Sequence, residues 1–143
     1  LLFPGDAQVG DWLSWEALAW QVKEGSGTKT VTARDLLART VLYKVGHHGS
    51  HNATLREKGL ELMSSDELAA MVPVDREMAR QKKWNMPFPP LFQRLQEKSM
   101  GRVLDRDMGL SIENLVGLSQ LERQQFIART DVQEDWIDYR IEL

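Results

Sequence analysis

Residues 41–54 carry the pattern that most constrains this chain: an apolar strand that ends in a glycine, two histidines, a second glycine and a serine. The residues at 41–45 are β-branched, aromatic or aliphatic except for Lys44, which predicts a buried strand. All three histidines of the protein, His47, His48 and His51, follow within five positions. The flanking glycines allow the backbone to bend, so that an imidazole projects from the end of the strand.

The N-terminus repeats this pattern in a shorter form. Residues 1–3 predict a buried strand, and Pro4 and Gly5 form the turn that delivers Asp6. The carboxyl ends of parallel neighbouring strands lie at the same edge of a sheet, so Asp6 and His48 meet if the two strands pair in that way. Two other interpretations stay open: Asp6 as the N-cap of a following helix, and the histidines as part of a solvated loop.

Helical and strand-like segments alternate along the rest of the chain. The remaining predicted helices cover residues 7–22, 32–37, 54–63, 75–83 and 90–98, and the remaining strands cover residues 68–74, 102–105, 126–128 and 136–143. Thr32 with Asp35, and Thr54 with Glu57, have the spacing of a capping box. Residues 24–27 read as a flexible loop. Strands separated by helices are typical of α/β layering, so we predict the α/β class.

Composition excludes several classes of protein. The chain has no cysteine, and therefore neither disulfides nor a thiolate metal site. A net charge of −3 gives no electrostatic indication of nucleic-acid binding, although a local basic patch leaves it possible. No apolar run approaches the roughly 20 residues that cross a bilayer, and no signal peptide is visible. We therefore expect no membrane partner and a cytoplasmic location.

The two strand ends carry groups that suit a metal ion. Imidazole and carboxylate are ligands for zinc, manganese and iron. Adjacent residues of an extended chain point in opposite directions, so His47 and His48 are not expected to bind one ion equally. Ser50, His51 and Asn52 lie beside them and are expected to support the ligands or to contact substrate. Zinc sites need about three or four protein groups, so this ligand set is incomplete.

Two further features are aromatic. Trp12, Trp15 and Trp20 fall in one predicted helix and are expected to pack on the sheet or to cover a partner. Trp84 follows the basic residues of 80–83. This segment reads either as a solvated helix face, which we favour, or as a basic and aromatic rim that meets an anionic substrate. Asp105 flanks a turn and is expected to be structural.

The segments 5–7 (Gly-Asp-Ala) and 42–50 (Leu-Tyr-Lys-Val-Gly-His-His-Gly-Ser) resemble the C-terminal half of metallo-β-lactamase-fold hydrolases. The closest likeness is to the hydrolase domain of competence DNA-uptake proteins. The proline-rich loop at 86–90, the following Phe-Gln-Arg-Leu at 92–95 and the segment 101–107 agree with it. The resemblance covers roughly residues 1–110.

The resemblance implies an αββα sandwich, of which residues 1–110 supply the C-terminal half. Residues 111–143 are then a strand-rich C-terminal extension that packs on the same domain. The resemblance implies one or two zinc ions (or manganese or iron), with Asp6 matching the bridging aspartate and His48 the last histidine ligand. His47 is the less favoured ligand of the pair. The implied reaction is attack of a metal-activated water on an ester, amide or phosphodiester.

The chain departs from the family at two places. The main metal motif, His-x-His-x-Asp-His, belongs to the N-terminal half, and no histidine precedes His47. The relatives often have a histidine before the proline of the loop, where this chain has Asn85-Met86-Pro87. An apolar strand at Leu1 also predicts that the chain is a fragment.

Two hypotheses follow. In the first, the chain is the C-terminal part of a metal-dependent hydrolase whose site is completed by an N-terminal half, from the same gene or from a separate chain. Its substrate is a small molecule or a phosphodiester. In the second, the chain is a non-catalytic interaction or scaffold module that keeps the fold and binds a partner through its tryptophan-rich segment and its tail.

Overall fold

A computed structural model describes residues 1–110 and 112–142. The predicted extension includes Ser111 and Leu143, which lie outside these described residues. The described residues form a mixed α/β structure with small sheets. In that part of the chain, no helix is long and apolar enough to cross a membrane.

The N-terminal third is a short helix followed by a β-hairpin. Helix α1 covers Val9–Trp15, and strands β1 (Ala19–Glu24) and β2 (Gly27–Thr32) pair antiparallel. The predicted helix over 7–22 is therefore confirmed only over 9–15, and its last residues belong to β1 instead. The predicted loop over 24–27 is confirmed at its centre, where Gly25 and Ser26 form the turn of the hairpin. Residues 20–23 alternate apolar and polar side chains, and Gly25 supplies the positive φ (+61°) that a two-residue hairpin turn requires.

The central sheet is parallel. Helix α2 (Ala33–Ala38) leads into β3 (Leu42–Lys44), which pairs with β4 (Ala69–Val72). Helices α3 (Arg76–Gln81) and α4 (Pro89–Lys98) follow, and β5 (Val103–Asp105) pairs with β4 on its other side. These segments match the predicted elements closely.

The first residues of the chain extend this sheet beyond β3. Leu2 forms a parallel bridge with Tyr43. The Leu2 N–H donates to the Leu42 carbonyl at 2.9 Å, and the Lys44 N–H donates to the Leu2 carbonyl at 3.0 Å. The two strand ends singled out in the sequence are therefore parallel neighbours, and their carboxyl ends lie at the same edge.

Capping explains one correct helix prediction and one wrong one. Thr32 and Asp35 form the expected capping box at the start of α2. Residues 54–63 form turns and a 3₁₀ segment at Leu60–Leu62, not the predicted helix. The Thr54 hydroxyl is within 2.6 Å of the Tyr43 hydroxyl, and Gly59 has non-helical dihedrals (φ −142°, ψ −91°). The Tyr43 hydroxyl that engages Thr54 is itself buried, and this burial raises the pKa of Tyr43 to about 12.

The C-terminal part packs against the outer face of the sheet. Helix α5 (Gln120–Ala128) contains Phe126, so the predicted strand over 126–128 is wrong. Strands β6 (Thr130–Val132) and β7 (Ile137–Tyr139) form a small antiparallel pair, and β7 is the described core of the predicted strand over 136–143. Phe126 is buried in a cluster with residues of β3, β4 and β5.

Candidate metal site at the sheet edge

The carboxyl ends of the two neighbouring strands are in direct contact. The backbone N–H of His47 donates to the carbonyl of Gly5 at 3.0 Å. A Cβ atom at position 46 would lie only 2.5 Å from that same oxygen, so only glycine fits there. Gly46 is therefore the residue that allows the segment carrying Asp6 to meet the histidine turn.

The histidine turn has an unusual backbone. His47 (φ +43°), His48 (φ +53°) and Gly49 (φ +72°) are three successive residues in the left-handed region. This conformation costs about 1–2 kcal/mol for each residue that is not glycine. Such conformations persist where the surrounding structure imposes them, and they cluster at functional sites. Here they turn both imidazoles out of the strand direction.

The ring of His48 is held by the end of β4. Its Nδ1 lies 2.7 Å from the carbonyl oxygen of Pro73. A carbonyl only accepts hydrogen bonds, so Nδ1 carries the proton in this contact. In the neutral ring Nε2 is then a free lone pair. Metal-binding histidines use this arrangement, in which the second nitrogen donates to a backbone carbonyl.

The ring of His47 is held by side chains of its own turn. Its Nδ1 is 3.1 Å from the hydroxyl oxygen of Ser50, and that hydroxyl donates to Oδ1 of Asn52 at 2.7 Å. Because the hydroxyl proton is engaged with Asn52, the Ser50 oxygen accepts from the Nδ1–H of His47. Ser50 is buried, which protects the relay from water. The Nε2 of His47 is therefore also unprotonated in the neutral ring.

A cavity of about 210 Å³ joins these groups at the sheet edge. Asp6, His47 and His48 line it, with the His47 and His48 ring centroids 6.5 Å apart. The N-cap of α1 is Gln8, so the helix does not use Asp6 as its cap. The Asp6 carboxylate is exposed and makes no hydrogen bond or ion pair to any described residue. Asp6 is free to bind a ligand.

Sequence reasoning missed two contributors to this cavity. Lys44 also lines it, with an exposed side chain between the buried Tyr43 and Val45. The Pro73 carbonyl comes from a neighbouring strand, and no residue type in the sequence signals a backbone acceptor.

His51 lies elsewhere. Its ring is edge-on to Phe88, with centroids 6.3 Å apart, and it lines a separate cavity of about 450 Å³. It is therefore not grouped with Asp6 and His48.

An ion pair lies at the carboxyl end of β5, on the other side of β4 from the histidine turn. Asp105 is 1% exposed and accepts from Nε and Nη2 of Arg76 at 3.1 and 2.7 Å. Its other oxygen accepts from the backbone N–H of Asp107. These hydrogen bonds engage both of its oxygens, so Asp105 has the structural role expected from the sequence.

Within residues 1–110 and 112–142, no three histidine, aspartate or glutamate side chains are grouped closely enough to hold a metal ion. Comparisons of the chain with protein-family models, with curated proteins and with solved structures gave no match.

Proposed function

We propose that this chain is the C-terminal half of a metal-dependent hydrolase of the metallo-β-lactamase αββα fold, with Asp6 and His48 as metal ligands. One observation carries the proposal: the Nδ1 of His48 is fixed on the Pro73 carbonyl, while its ring lines the same cavity as Asp6. The fixed tautomer leaves Nε2 as a lone pair for an ion. His47 is the second imidazole at this cavity.

The donor set fits zinc, and also manganese or iron, because it combines imidazole nitrogen with carboxylate oxygen. One or two such ions would supply a water of lowered pKa for attack on an ester or phosphodiester. The described residues hold only part of a ligand set, so an N-terminal half carrying His-x-His-x-Asp-His completes the site. In this arrangement Pro73 orients His48, and Ser50 with Asn52 orients His47.

The exposed surface of the N-terminal third supports the proposal that a further layer, the N-terminal half, packs on it. Every residue of β1 is exposed, and an isolated two-stranded hairpin is marginally stable in water. The strand segment at residues 1–3 pairs with β3 on one side only within the described structure, and Leu1 and Phe3 are exposed. Trp20 adds to this apolar surface. An N-terminal half that packs here would cover it.

Hydrolysis by the joined protein tests this proposal. We expect the chain with its N-terminal half to cleave bis(p-nitrophenyl) phosphate, to lose activity on dialysis against a chelator and to regain it with zinc or manganese. Asp6→Ala should abolish the activity. Asp138→Ala removes an exposed carboxylate of β7 and should leave it unchanged. Activity that is indifferent to the chelator, or retained in Asp6→Ala, would refute the proposal.

The exposed apolar surface also favours the second candidate, a non-catalytic interaction module. The two candidate functions differ in one respect. An interaction module uses the exposed apolar surface, and its function does not depend on the strained histidine turn. If the gene encodes no His-x-His-x-Asp-His cluster before Leu1, the module is the better account.

A further inference from the structure

His48 lines a second cavity beside the candidate metal site. This cavity has a volume of about 380 Å³, which is in the range of small-molecule pockets. It shares His48 and Pro73 with the smaller cavity that contains Asp6. A molecule that reacts at His48 therefore has space on this side for the part of it that does not react.

This cavity has an apolar and aromatic wall. Met78 and Trp84, which are 50% and 52% exposed, line it together with Met86. Large apolar side chains exposed around one concavity mark a ligand site more often than isolated ones do. A flat aromatic group fits this wall, because tryptophan stacks on rings and methionine sulfur makes favourable contacts with them.

The end of α3 fixes Trp84 in place. Lys83 is left-handed (φ +57°), its N–H donates to the Arg80 carbonyl at 3.1 Å, and the Trp84 N–H donates to the Ala79 carbonyl at 2.8 Å. This is the hydrogen-bond pattern of a Schellman motif. The next loop is tied to the histidine turn, because Phe88 N–H donates to the Gly49 carbonyl at 2.7 Å. Trp84 is therefore presented on a fixed backbone despite its exposure.

A cation also lines the same cavity. Arg106 follows β5, and its Nε donates to the Glu134 carbonyl at 3.2 Å, which leaves other guanidinium donors for an anion. Its contact with Asp135 is loose, at 3.9 Å. Asp75 is the acidic group on the wall, and its carboxylate is engaged by the Met78 N–H at the start of α3.

We propose that this second cavity binds the aromatic group of a phosphoric diester, with the ring against Trp84 and Met78 and the anionic oxygens toward Arg106. Aryl diesters and nucleoside diesters share this chemistry. The assignment of the cavity as a substrate subsite rests on the proposed function, since it places the reacting ester at His48. Binding of the diester itself does not require the metal.

The test is calorimetric titration of the protein in excess chelator. The probes are bis(p-nitrophenyl) phosphate, 3′,5′-cyclic AMP and dimethyl phosphate, which has no ring. We expect at least one aromatic diester to bind about tenfold more tightly than dimethyl phosphate, the scale of one stacking contact. The better of the two aromatic probes identifies the source of the ring.

Variants locate the contact. Trp84→Ala should bring the aromatic and methyl diesters to similar affinities, whereas Trp84→Phe should keep most of the preference. Trp20→Ala removes a comparably exposed tryptophan that lines a different cavity, and it should leave the affinities for the three diesters unchanged. Arg106→Gln should weaken every diester by a similar factor, because it acts on the anion.

Equal affinity for the three probes, or a full preference retained in Trp84→Ala, would overturn the subsite. Because the titration is metal-free, its failure is distinct from failure of the metal site. A protein that binds metal through Asp6 and His48 without an aromatic preference retains the proposed function and loses only this subsite.

Discussion

The Nδ1 of His48 lies 2.7 Å from the carbonyl oxygen of Pro73, so the end of one parallel strand determines which nitrogen of a histidine on the next is protonated. His48 is in the left-handed region (φ +53°), which places its ring within reach of that carbonyl. A hydrogen bond of this kind is worth about 1 kcal/mol net. It compensates part of the backbone strain and leaves Nε2 at the cavity.

The tautomer of His48 is directly measurable. Long-range ¹⁵N–¹H correlation spectra at a pH where the ring is neutral should show the Nδ1–H form for His48, assigned by its loss in His48→Gln. The Nε2–H form predominates for free neutral histidine in water, so an Nδ1–H form would show that the contact with Pro73 sets the tautomer. An Nε2–H signal for His48 would contradict the contact with Pro73.

The Ser50 hydroxyl should control the ring of His47. Ser50→Ala removes the acceptor for the Nδ1–H of His47 and leaves Asn52 without its donor. We expect a loss of about 1–2 kcal/mol in the free energy of unfolding, measured by urea denaturation. The same spectra should show His47 shifting from its Nδ1–H form toward a mixture of tautomers, while His48 is unchanged. An unaltered His47 spectrum would show that the relay does not set its tautomer.

Gly46 should be essential for the contact between the two strand ends. In Gly46→Ala the added Cβ would lie 2.5 Å from the Gly5 carbonyl oxygen. Relief of this clash requires the strand ends to move apart, with a loss of about 1–3 kcal/mol in the free energy of unfolding.

Gly10→Ala is the matched control for this change. Gly10 lies in α1, and a Cβ there meets nothing within 4 Å. We expect Gly10→Ala to stabilise the protein by about 0.5–1 kcal/mol, because alanine is the better helix former. Equal effects of the two substitutions in thermal or urea unfolding would contradict the close approach at Gly46.

The ion pair between Glu61 and Arg94 should make stability depend on acid pH. Arg94 donates to both carboxylate oxygens of Glu61, from Nε at 2.7 Å and from Nη2 at 2.6 Å. These hydrogen bonds are the main reason that the pKa of Glu61 is lowered to about 2. A carboxylate with a lowered folded-state pKa stabilises the protein fully above its unfolded value, and that contribution is lost as pH falls toward about 2.

Glu61→Gln tests this dependence. At pH 7 we expect it to cost about 1–2 kcal/mol, since the pair is bidentate but partly exposed. The difference from the parent protein should shrink as the pH falls from about 4.5 to about 2. Glu16→Gln removes an exposed partner of Lys58 and should cost little at any pH. A cost for Glu61→Gln that is constant with pH would contradict the prediction.

The parts of the fold that sequence predicted correctly depend on local signals. Thr32 and Asp35 are three residues apart and cap a helix whatever surrounds them. The sequence does not reveal the hairpin because Leu13, Ala17 and Trp20 also have the spacing of one helical face, and pairing with β2 decides against the helix there. Phe126 was assigned to a strand because a short apolar run is ambiguous, and the Ser119 cap shows it to be helical.

The candidate site likewise combines features that the sequence indicates with features that only the structure shows. Asp6 and His48 were identified from residue types at strand ends, and the parallel bridge of Leu2 with Tyr43 brings those ends together. The Pro73 carbonyl, the orientation of His47 by Ser50 and the cavity beside Trp84 depend on contacts between segments far apart in the chain. No local pattern encodes them, so they required the structure.

Metal stoichiometry tests the central claim most directly. Elemental analysis of the protein joined to the proposed N-terminal half should give one or two equivalents of zinc, manganese or iron. We expect that content to fall to background in Asp6→Ala and His48→Ala and to persist in Asp138→Ala, with all three variants folded by circular dichroism. A joined protein that is folded and binds none of these metals, or one that keeps its metal in both Asp6→Ala and His48→Ala, would contradict the account.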